Sequence, residues 1–574
     1  MSRAALLLAP LVAAVSLGLP AAAGAYDPAS QPPFGGEPVP PLESPQSTKG
    51  PPAGFELSAG EAITIADHTE AVRAERLESP AMEPQGFTRG PGRWEVKYFV
   101  EEDGARTEVA QVHIDDATGE VLEAWRDHQV ETKLARGYDG AVGRAINSPW
   151  IWIGLCLLFV MPFFDPRRPL RILHLDLLAI VALSVSLVFF NRGEIMASVP
   201  LTYPILGYLF ARLLIVGLRP RASSGPLVPI APMALLAGLA VALAVGRVAL
   251  NIADSSVIDI GVAGVVGADR LADGASLYEG VFAPGIDLRG DVYGPLTYLT
   301  YVPFEAVFPW QGVWDDVPAA HAAAIAFDLL TALGLLLLGR RLRPGEEGKA
   351  LGVALSFAWL ACPWTAYALN ANTNDSLVAL AIVAAMLALP VAGSRSAAAG
   401  PALVRGAALA AGTAAKFGPA ALAPLFATAS GERRLRSAAV FALAFLLVAA
   451  ALFLPFLPDG GPRELYDRTF GYQAARGSPF SLWGLAPSLE PLQTAARVLA
   501  VGLALALAFV PRRRTAVQIA AFGGAVVIAT QVAGTHWFYF YVVWFLPLVL
   551  VAVFGESRTV SPRSRSPAAP TSAS

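Results

Sequence analysis

The chain has 574 residues, of which 55% are hydrophobic and 15% charged, with a mean hydropathy of +0.52 and a formal net charge of −3. This composition excludes an ordinary soluble globular protein and fits a polytopic membrane protein with a soluble appendage, while the slightly acidic balance predicts no nucleic-acid partner. The two cysteines, Cys156 and Cys362, both lie in apolar runs, which excludes a disulfide framework and a cysteine-rich metal site and argues against redox chemistry.

In chain order, residues 1–25 carry Arg3, an apolar run and the small-residue ending Ala23-Gly24-Ala25, the three-part layout of a secretory signal peptide. Residues 26–55 are rich in Pro, Gly and Ser and too poor in apolar side chains to pack, so they read as a disordered linker. Residues 56–135 read as a small extracytoplasmic α+β domain: a helical stretch AGEAITIADHTEAVRAERL, then the alternating segments RWEVKYFVEE and EVAQVHID joined at Asp103-Gly104. A second turn at Asp116-Ala117-Thr118-Gly119 precedes VLEAW. The series WEVKYFV, DG, VAQVHID, DATGEVLEAW resembles the PepSY family of small helix-plus-hairpin domains, which implies a binding or regulatory module; a spacer without a ligand is the plain alternative.

From residue 149 apolar runs recur at lengths that can cross a hydrocarbon layer, which takes about 20 helical residues. Eleven full spans are expected, at 149–164, 172–190, 199–217, 228–251, 319–338, 350–369, 375–392, 436–456, 492–510, 516–533 and 538–555. With the N-terminal domain outside, the Arg- and Lys-bearing loops DPRRPLR, LRPRASS, GRRLRPGEEGK, GSRSAAAGPALVR, SGERRLRS and PRRRT fall inside, together with a disordered tail over 556–574. This threading requires the Pro-broken segment 293–310 to lie at the outer interface or re-enter. It also requires 404–430 to be a hairpin turning near Lys416-Phe417-Gly418-Pro419, irregular backbone that is tolerated where protein covers it. The fold class is therefore a mostly α, polytopic helical bundle with a re-entrant hairpin and a small α+β domain.

So threaded, the chain gathers its reactive side chains on the outer face. Asp254 and Asp259 follow directly on the span 228–251, where a cavity rim of low dielectric raises the basicity of a carboxylate and makes it a general-base candidate; solvated acids at a helix end are the bland alternative. Lys416, one of only five lysines, sits among apolar residues and needs an anionic partner, for which a donor phosphate and a structural ion pair both qualify. Arg463, Arg468 and Arg476 share an outer loop with Tyr466, Phe470, Tyr472, Phe480 and Trp483, a combination suited to an anionic headgroup and a stacked sugar ring, or to an interfacial aromatic belt. Asn370, Asn372, Asn374 and Asp375 crowd a short outer loop, and His536, Trp537, Tyr539 and Tyr541 open the last span. No His- or Cys-rich ligand pattern is present; an Asp-bound Mg²⁺ or Mn²⁺ has no support, and no cofactor is expected.

The succession of Asp259, LADGASLYEG, YGPLTYLTYVPFEAVFP, AGTAAKFGPAALAPL and HWFYFYVVWFLPL resembles the polyprenyl-phosphate-dependent glycosyltransferases of the GT-C superfamily, notably their bacterial mannosyltransferase branch, over residues 228–555. The resemblance implies a bacterial cytoplasmic-membrane enzyme that moves a sugar, with inversion, from a lipid-linked monosaccharide phosphate to an extracytoplasmic lipid, glycan or protein acceptor. It implies Asp259 as the general base, with Asp254 as fallback, and Lys416, Arg468 and Arg476 at the donor phosphate. Tyr278, Tyr293, Asn372, Asn374, Tyr472, Trp483, His536 and Tyr539 are the expected substrate contacts. Three additional spans over 149–217 and the PepSY-like domain precede the module and depart from the family's pattern. The chemistry stands beside the resemblance: a glycosyl phosphate needs one base and fixed cations for the departing phosphate, whereas a retaining hydrolase wants two carboxylates about 5 Å apart. A transporter or flippase with a sensor domain is the competing class; it predicts charges buried mid-helix and an internal repeat. A third reading makes the PepSY-like part the functional unit and the spans its scaffold.

Overall fold

The computed structural model describes residues 42–102, 105–137, 142–219, 226–228, 231–283, 289–314, 317–390, 399–429, 434–475 and 477–557. The signal segment, the linker as far as residue 41, the Asp103-Gly104 turn, Arg476 and the tail from residue 558 lie outside the described residues. The chain forms two compact units. One holds the N-terminal sheet together with Leu187–Ser198, the turn between two later helices; the other holds Val142–Ser186 and the chain from Val199 onward.

In the sheet unit, helices α1 (Ala59–Asp67) and α2 (Glu70–Glu78) precede an antiparallel meander in the order β1-β2-β3-β4-β5. The strands are β1 (Leu42–Glu43), β2 (Glu83–Arg89), β3 (Arg93–Glu102), β4 (Ala105–Asp115) and β5 (Val121–Arg126). Alternation decides the packing. Trp94, Val96 and Tyr98 of β3 and Ala110, Val112 and Ile114 of β4 share a core with Ala59, Ala62, Ala66 and Val72 of the helices. The single expected helix is two, because the Thr69 side chain accepts from the Val72 N–H and starts a new one. Strand β2, EPQGFTR, was not expected, since its Pro, Gly and irregular pattern hide its pairing with β3. The linker expectation is corrected from Leu42 on: Leu42 and Glu43 pair with Arg89 and Thr88. The Asp116 carboxylate then accepts from the N–H groups of Glu56 and Leu57 and from Trp94 Nε1, which anchors the end of that segment. On the other sheet face Glu95 is buried; burial works against its charge, but His113, Arg89 and Lys97 beside it hold its carboxyl down at about 2.

The second unit is a multi-pass helical bundle. Among the described residues seven helices are long and apolar enough to span a membrane: Ile172–Asn191, Ile195–Leu218, Met233–Ala253, Pro318–Leu342, Leu435–Phe456, Pro487–Phe509 and Ala516–Ala533. An eighth span results if Gly345–Ala361 and Pro363–Asn370, bent by 55° at their junction, count as one. Pro363 explains the bend, since it lacks the N–H that would continue the helix and pushes Cys362 out of helical geometry. Of the eleven expected spans, seven or eight reach full span length among the described residues. Pro149–Phe163, Asp375–Leu387 and Tyr539–Gly555 are apolar but short, and at 1.5 Å per residue they fall below the ~30 Å layer. Large apolar side chains such as Val241, Val245, Leu446 and Leu447 are exposed on the bundle surface, as lipid contact requires.

Helices are numbered on from the sheet unit as α3 (Met233–Ala253), α4 (Asp259–Ala272), α5 (Pro318–Leu342), α6 (Pro363–Asn370), α7 (Asp375–Leu387), α8 (Ala399–Ala415) and α9 (Val542–Gly555). The segment after α8 folds back on it. Arg405 in its first half donates to the Phe426 carbonyl (3.1 Å), and the tip falls at Lys416, so the described part of the expected hairpin, residues 404–429, does fold back on itself. The two ends of the bundle differ in chemistry. At one end the arginines of the basic loops hold carbonyls and polar side chains: Arg343 on Gly555, Arg171 on Ser557, Arg514 on Thr428, Arg405 on Ala388 and Ser437. Glu556, paired with Arg212 at 2.8 Å, and Ser557 are therefore packed, which corrects the start of the expected disordered tail. The opposite end carries Asp254, Asp259, Asp375, Lys416 and Trp544.

Charge is not confined to the ends. Arg247 of α3 pairs with Asp328 of α5 at 2.8 Å, both buried, with Trp359 Nε1 donating to the same Asp328 oxygen. At the arginine-rich end Asp176 and Arg212 form another buried pair at 3.0 Å, continuous with Glu556.

Candidate active site

The loop that joins α6 to α7, residues 371–374 of the sequence NANTND, organises the polar end. Asn372 takes a left-handed backbone, φ 50°, which Asn tolerates better than most residues. That turn lets the loop lie along the segment leading into α4: the Ser256 N–H donates to the Asn370 carbonyl and the Ile258 N–H to the Ala371 carbonyl, each at 3.1 Å. The Asn372 side chain fills the space between. Its Nδ2 donates to Ser255 Oγ (3.0 Å) and the Ser256 carbonyl (2.9 Å), and its Oδ1 accepts from Asn251 Nδ2 (2.8 Å). His321 Nδ1 closes the network 3.1 Å from Asn251 Oδ1. Helix α4 can press against this loop because position 261 is glycine; a Cβ there would stand 2.6 Å from the Asn372 carbonyl oxygen.

The two carboxylates proposed as bases separate by environment. Asp254 caps α3, and its carboxylate accepts the backbone N–H groups of Arg144 (3.3 Å) and Ala145 (2.5 Å). These two bonds hold the chain ahead of Pro149, so Asp254 has a capping role in the structure besides its standing as the fallback base. Asp259 opens α4, is exposed rather than set in an apolar rim, and accepts the Ile260 N–H at 2.8 Å. Its carboxylate thus stands at the surface of the polar end.

Three residues beyond Asn372, the same loop enters α7 with Asp375, 1% exposed. Lys416 Nζ and Trp544 Nε1 both donate to Asp375 Oδ1 at 2.6 Å, and Thr373 Oγ1 donates to Oδ2. Lys416 also lies 5.7 Å from the Trp544 ring centroid, a cation–π contact. The ammonium therefore has its anionic partner within the protein, and among the described residues two of its three N–H groups remain for another. Asn374, buried, donates to Thr297 Oγ1 (3.3 Å), which in turn donates to the Ala415 carbonyl (2.8 Å), so the Pro-broken segment after Tyr293 is tied to the hairpin tip. Asp259, Asp375 and Lys416 are in this way fixed to one loop at one end of the bundle.

The remaining expected contacts divide. Tyr278 and Tyr539 are core residues, not surface ones: the Tyr278 hydroxyl donates to the Tyr293 carbonyl (2.8 Å), and Tyr539 stacks on Trp364 (5.3 Å) with its hydroxyl 2.7 Å from Ser186 Oγ. Asn372 is corrected likewise, since it is buried and its amide is occupied by the protein. Trp483 Nε1 ties its loop to the Val532 carbonyl, and His536 Nδ1 sits 2.8 Å from Ser478 Oγ. Tyr293 and Tyr472 are half-buried, Tyr472 within the arginine-bearing loop itself. Arg468 forms ion pairs with Asp291 (2.9 Å) and Glu464 (2.8 Å); the Asp291 hydrogen bond pushes its guanidinium above the usual arginine range. Arg476 lies outside the described residues. Among the described residues no three His, Cys, Asp or Glu side chains gather in a metal-holding group.

Several site residues were not singled out from sequence. Trp544 is masked by the apolar helix it begins, and Asn251 and His321 by lying in other apolar runs; only the crowding of NANTND between two apolar segments signalled Asp375. Arg289, whose guanidinium lies 4.1 Å from the Tyr472 ring centroid, has no sequence signal beyond its charge.

We expect Asn372→Ala to lower the unfolding temperature by several degrees in a thermal melt, because it removes a left-handed residue and three hydrogen bonds behind the Asp259 segment. An unchanged melting temperature would show that the network does not hold the loop.

No family model matches the chain, and no curated protein matches it. Among solved structures it is similar to the crystal structure of ArnT from Cupriavidus metallidurans bound to undecaprenyl phosphate, at 17% sequence identity and a TM-score of 0.42. The match covers 58% of this chain and 61% of that one, so the chain spans less than two thirds of the length of that protein.

Proposed function

We propose that the protein is an integral membrane glycosyltransferase of the GT-C type that takes a sugar, mannose-like, from a polyprenyl-phosphate monosaccharide and passes it with inversion to an extracytoplasmic lipid, glycan or protein acceptor. The observation that carries this reading is the junction at one loop of an exposed carboxylate, Asp259, and a nearly buried ammonium, Lys416, at the bundle end remote from the arginine-rich loops. By the positive-inside rule the arginine-rich end is cytoplasmic, which puts the site outside.

In this mechanism Asp259 accepts the proton of the acceptor hydroxyl while its oxygen forms the bond to C1 of the sugar. The C1–O bond to phosphate breaks on the opposite face, and its electron pair leaves with the phosphate. Lys416, steadied by Asp375 and Trp544, offers its remaining N–H groups to that developing charge. One base and one fixed cation are enough, because phosphate leaves without help from an acid. The sheet unit is read as a PepSY-like binding or regulatory module behind a cleaved signal segment.

The test is turnover. Purified full-length protein in liposomes, given radiolabelled polyprenyl-phosphate sugars and envelope extract as acceptor, is expected to convert the donor to polyprenyl phosphate and a labelled product. No turnover with any sugar would remove the proposal. A second reading, a transporter or flippase, draws on the buried Arg247–Asp328 pair between α3 and α5. It predicts lipid translocation that Arg247→Met with Asp328→Leu abolishes, in place of transfer.

A further inference from the structure

The loop after residue 458 forms a helix from Gly461 through a π turn at Asp467–Gly471 to Ala475, and its two flanks face different surroundings. Leu465 and Thr469 are buried and fix its inner side. On one flank Tyr466 and Phe470 stack on each other (5.6 Å), and Phe470 meets Phe417, the neighbour of Lys416, at 5.7 Å. On the other flank Arg468 pairs directly with Asp291 and Glu464 beside an open groove of about 530 Å³ lined by Arg289, Gly460, Arg463, Glu464, Asp467 and Arg468. The helix therefore separates Arg468 from Lys416, although the sequence suggested one shared phosphate position.

The three guanidiniums in the groove are not equivalent. Arg468 is spent on Asp291 and Glu464 and serves as wall. Arg463 is 93% exposed and reaches Asp467 only at 3.9 Å, beyond hydrogen-bond distance. Arg289 rests its flat face on Tyr472 at 4.1 Å and makes no hydrogen bond or ion pair among the described residues. Stacking uses the face of a guanidinium and leaves the N–H groups at its edge free, the fork that matches a phosphate. Arg468 is balanced by Asp291 and Glu464, so the capacity of the groove for an anion rests on Arg289 and Arg463 against the Asp467 carboxylate, and its volume suits a headgroup.

We propose that this groove is a second anion site, distinct from the Lys416 position, which binds a phosphate ester through Arg289 and Arg463 with Tyr472 as a platform. Resting on the glycosyl-transfer reading, the ligand is the phosphate-bearing part of the acceptor; the binding itself is independent of that reading.

The experiment measures binding to the purified full-length protein in neutral detergent by calorimetry, with dioctanoyl phosphatidic acid, glycerol 3-phosphate and dioctanoyl phosphatidylcholine as probes. Phosphatidic acid is expected to bind, R289Q/R463Q to weaken it at least tenfold, and D467N to tighten it severalfold, a gain that misfolding cannot produce. Binding by glycerol 3-phosphate as well assigns a free phosphate ester; binding by the lipid alone assigns a headgroup at the membrane surface. Equal affinity in R289Q/R463Q, or phosphatidylcholine binding as tightly as phosphatidic acid, overturns the site. Absence of sugar transfer with binding intact removes only the transferase reading.

Discussion

Asp259→Asn is expected to cut sugar transfer by about 100- to 10,000-fold, the usual contribution of a positioned general base, while the donor still binds and the protein melts at its normal temperature. The substitution is nearly isosteric, and the Ile260 N–H that Asp259 Oδ1 accepts can be accepted by an amide oxygen as well, so helix α4 keeps its start. The residue is exposed, which leaves little packing to lose. Single-turnover rates with preloaded donor, together with a thermal melt, separate chemistry from folding. Full activity in the variant would sink the Asp259 assignment and move the base to Asp254, whose oxygens each accept one backbone N–H.

Lys416→Met is expected to be the more damaging change, through stability as well as through the donor. It leaves the Asp375 carboxylate buried with only Trp544 and Thr373 to satisfy it, and breaking such a pair costs about 3–5 kcal/mol. The double variant K416M/D375N removes both charges and is expected to recover most of that stability, since an amide can still accept from Trp544. The pair of variants then divides the two roles of Lys416. If the double variant folds normally yet binds polyprenyl-phosphate donor at least tenfold more weakly, the ammonium touches the phosphate; if donor binding returns with stability, Lys416 is a structural ion pair and nothing more.

Much of the bundle was legible because hydropathy over long windows reads directly on lipid contact: Ile172–Asn191, Met233–Ala253 and Ala516–Ala533 fall close to their expected bounds. Hydropathy does not report where a helix stops, however, so the short α7 and α9 and the bend at Pro363 passed for full spans. The hairpin at Lys416 was legible from a Gly-Pro step beside a lone charge. Among the site residues, alternation and composition could place Asp259 and Lys416 on the same end but could not say which polar groups were already satisfied. Tyr278, Tyr539 and Asn372 look like surface chemistry in a sequence, yet their partners, Tyr293, Ser186 and Asn251, come from other stretches of the chain and are set by tertiary packing alone. The same holds for Arg468, whose partner Asp291 is far away in sequence.

The buried Asp375 has a consequence for biogenesis. Its neutralising donors enter the membrane at different times, Thr373 with it, Lys416 with the hairpin and Trp544 only with the last helix. A nascent chain halted before α9 would hold this carboxylate with its indole donor missing and the hairpin tip without its aromatic lid. The polar end is therefore complete only once α9 has packed against α7 and the hairpin tip.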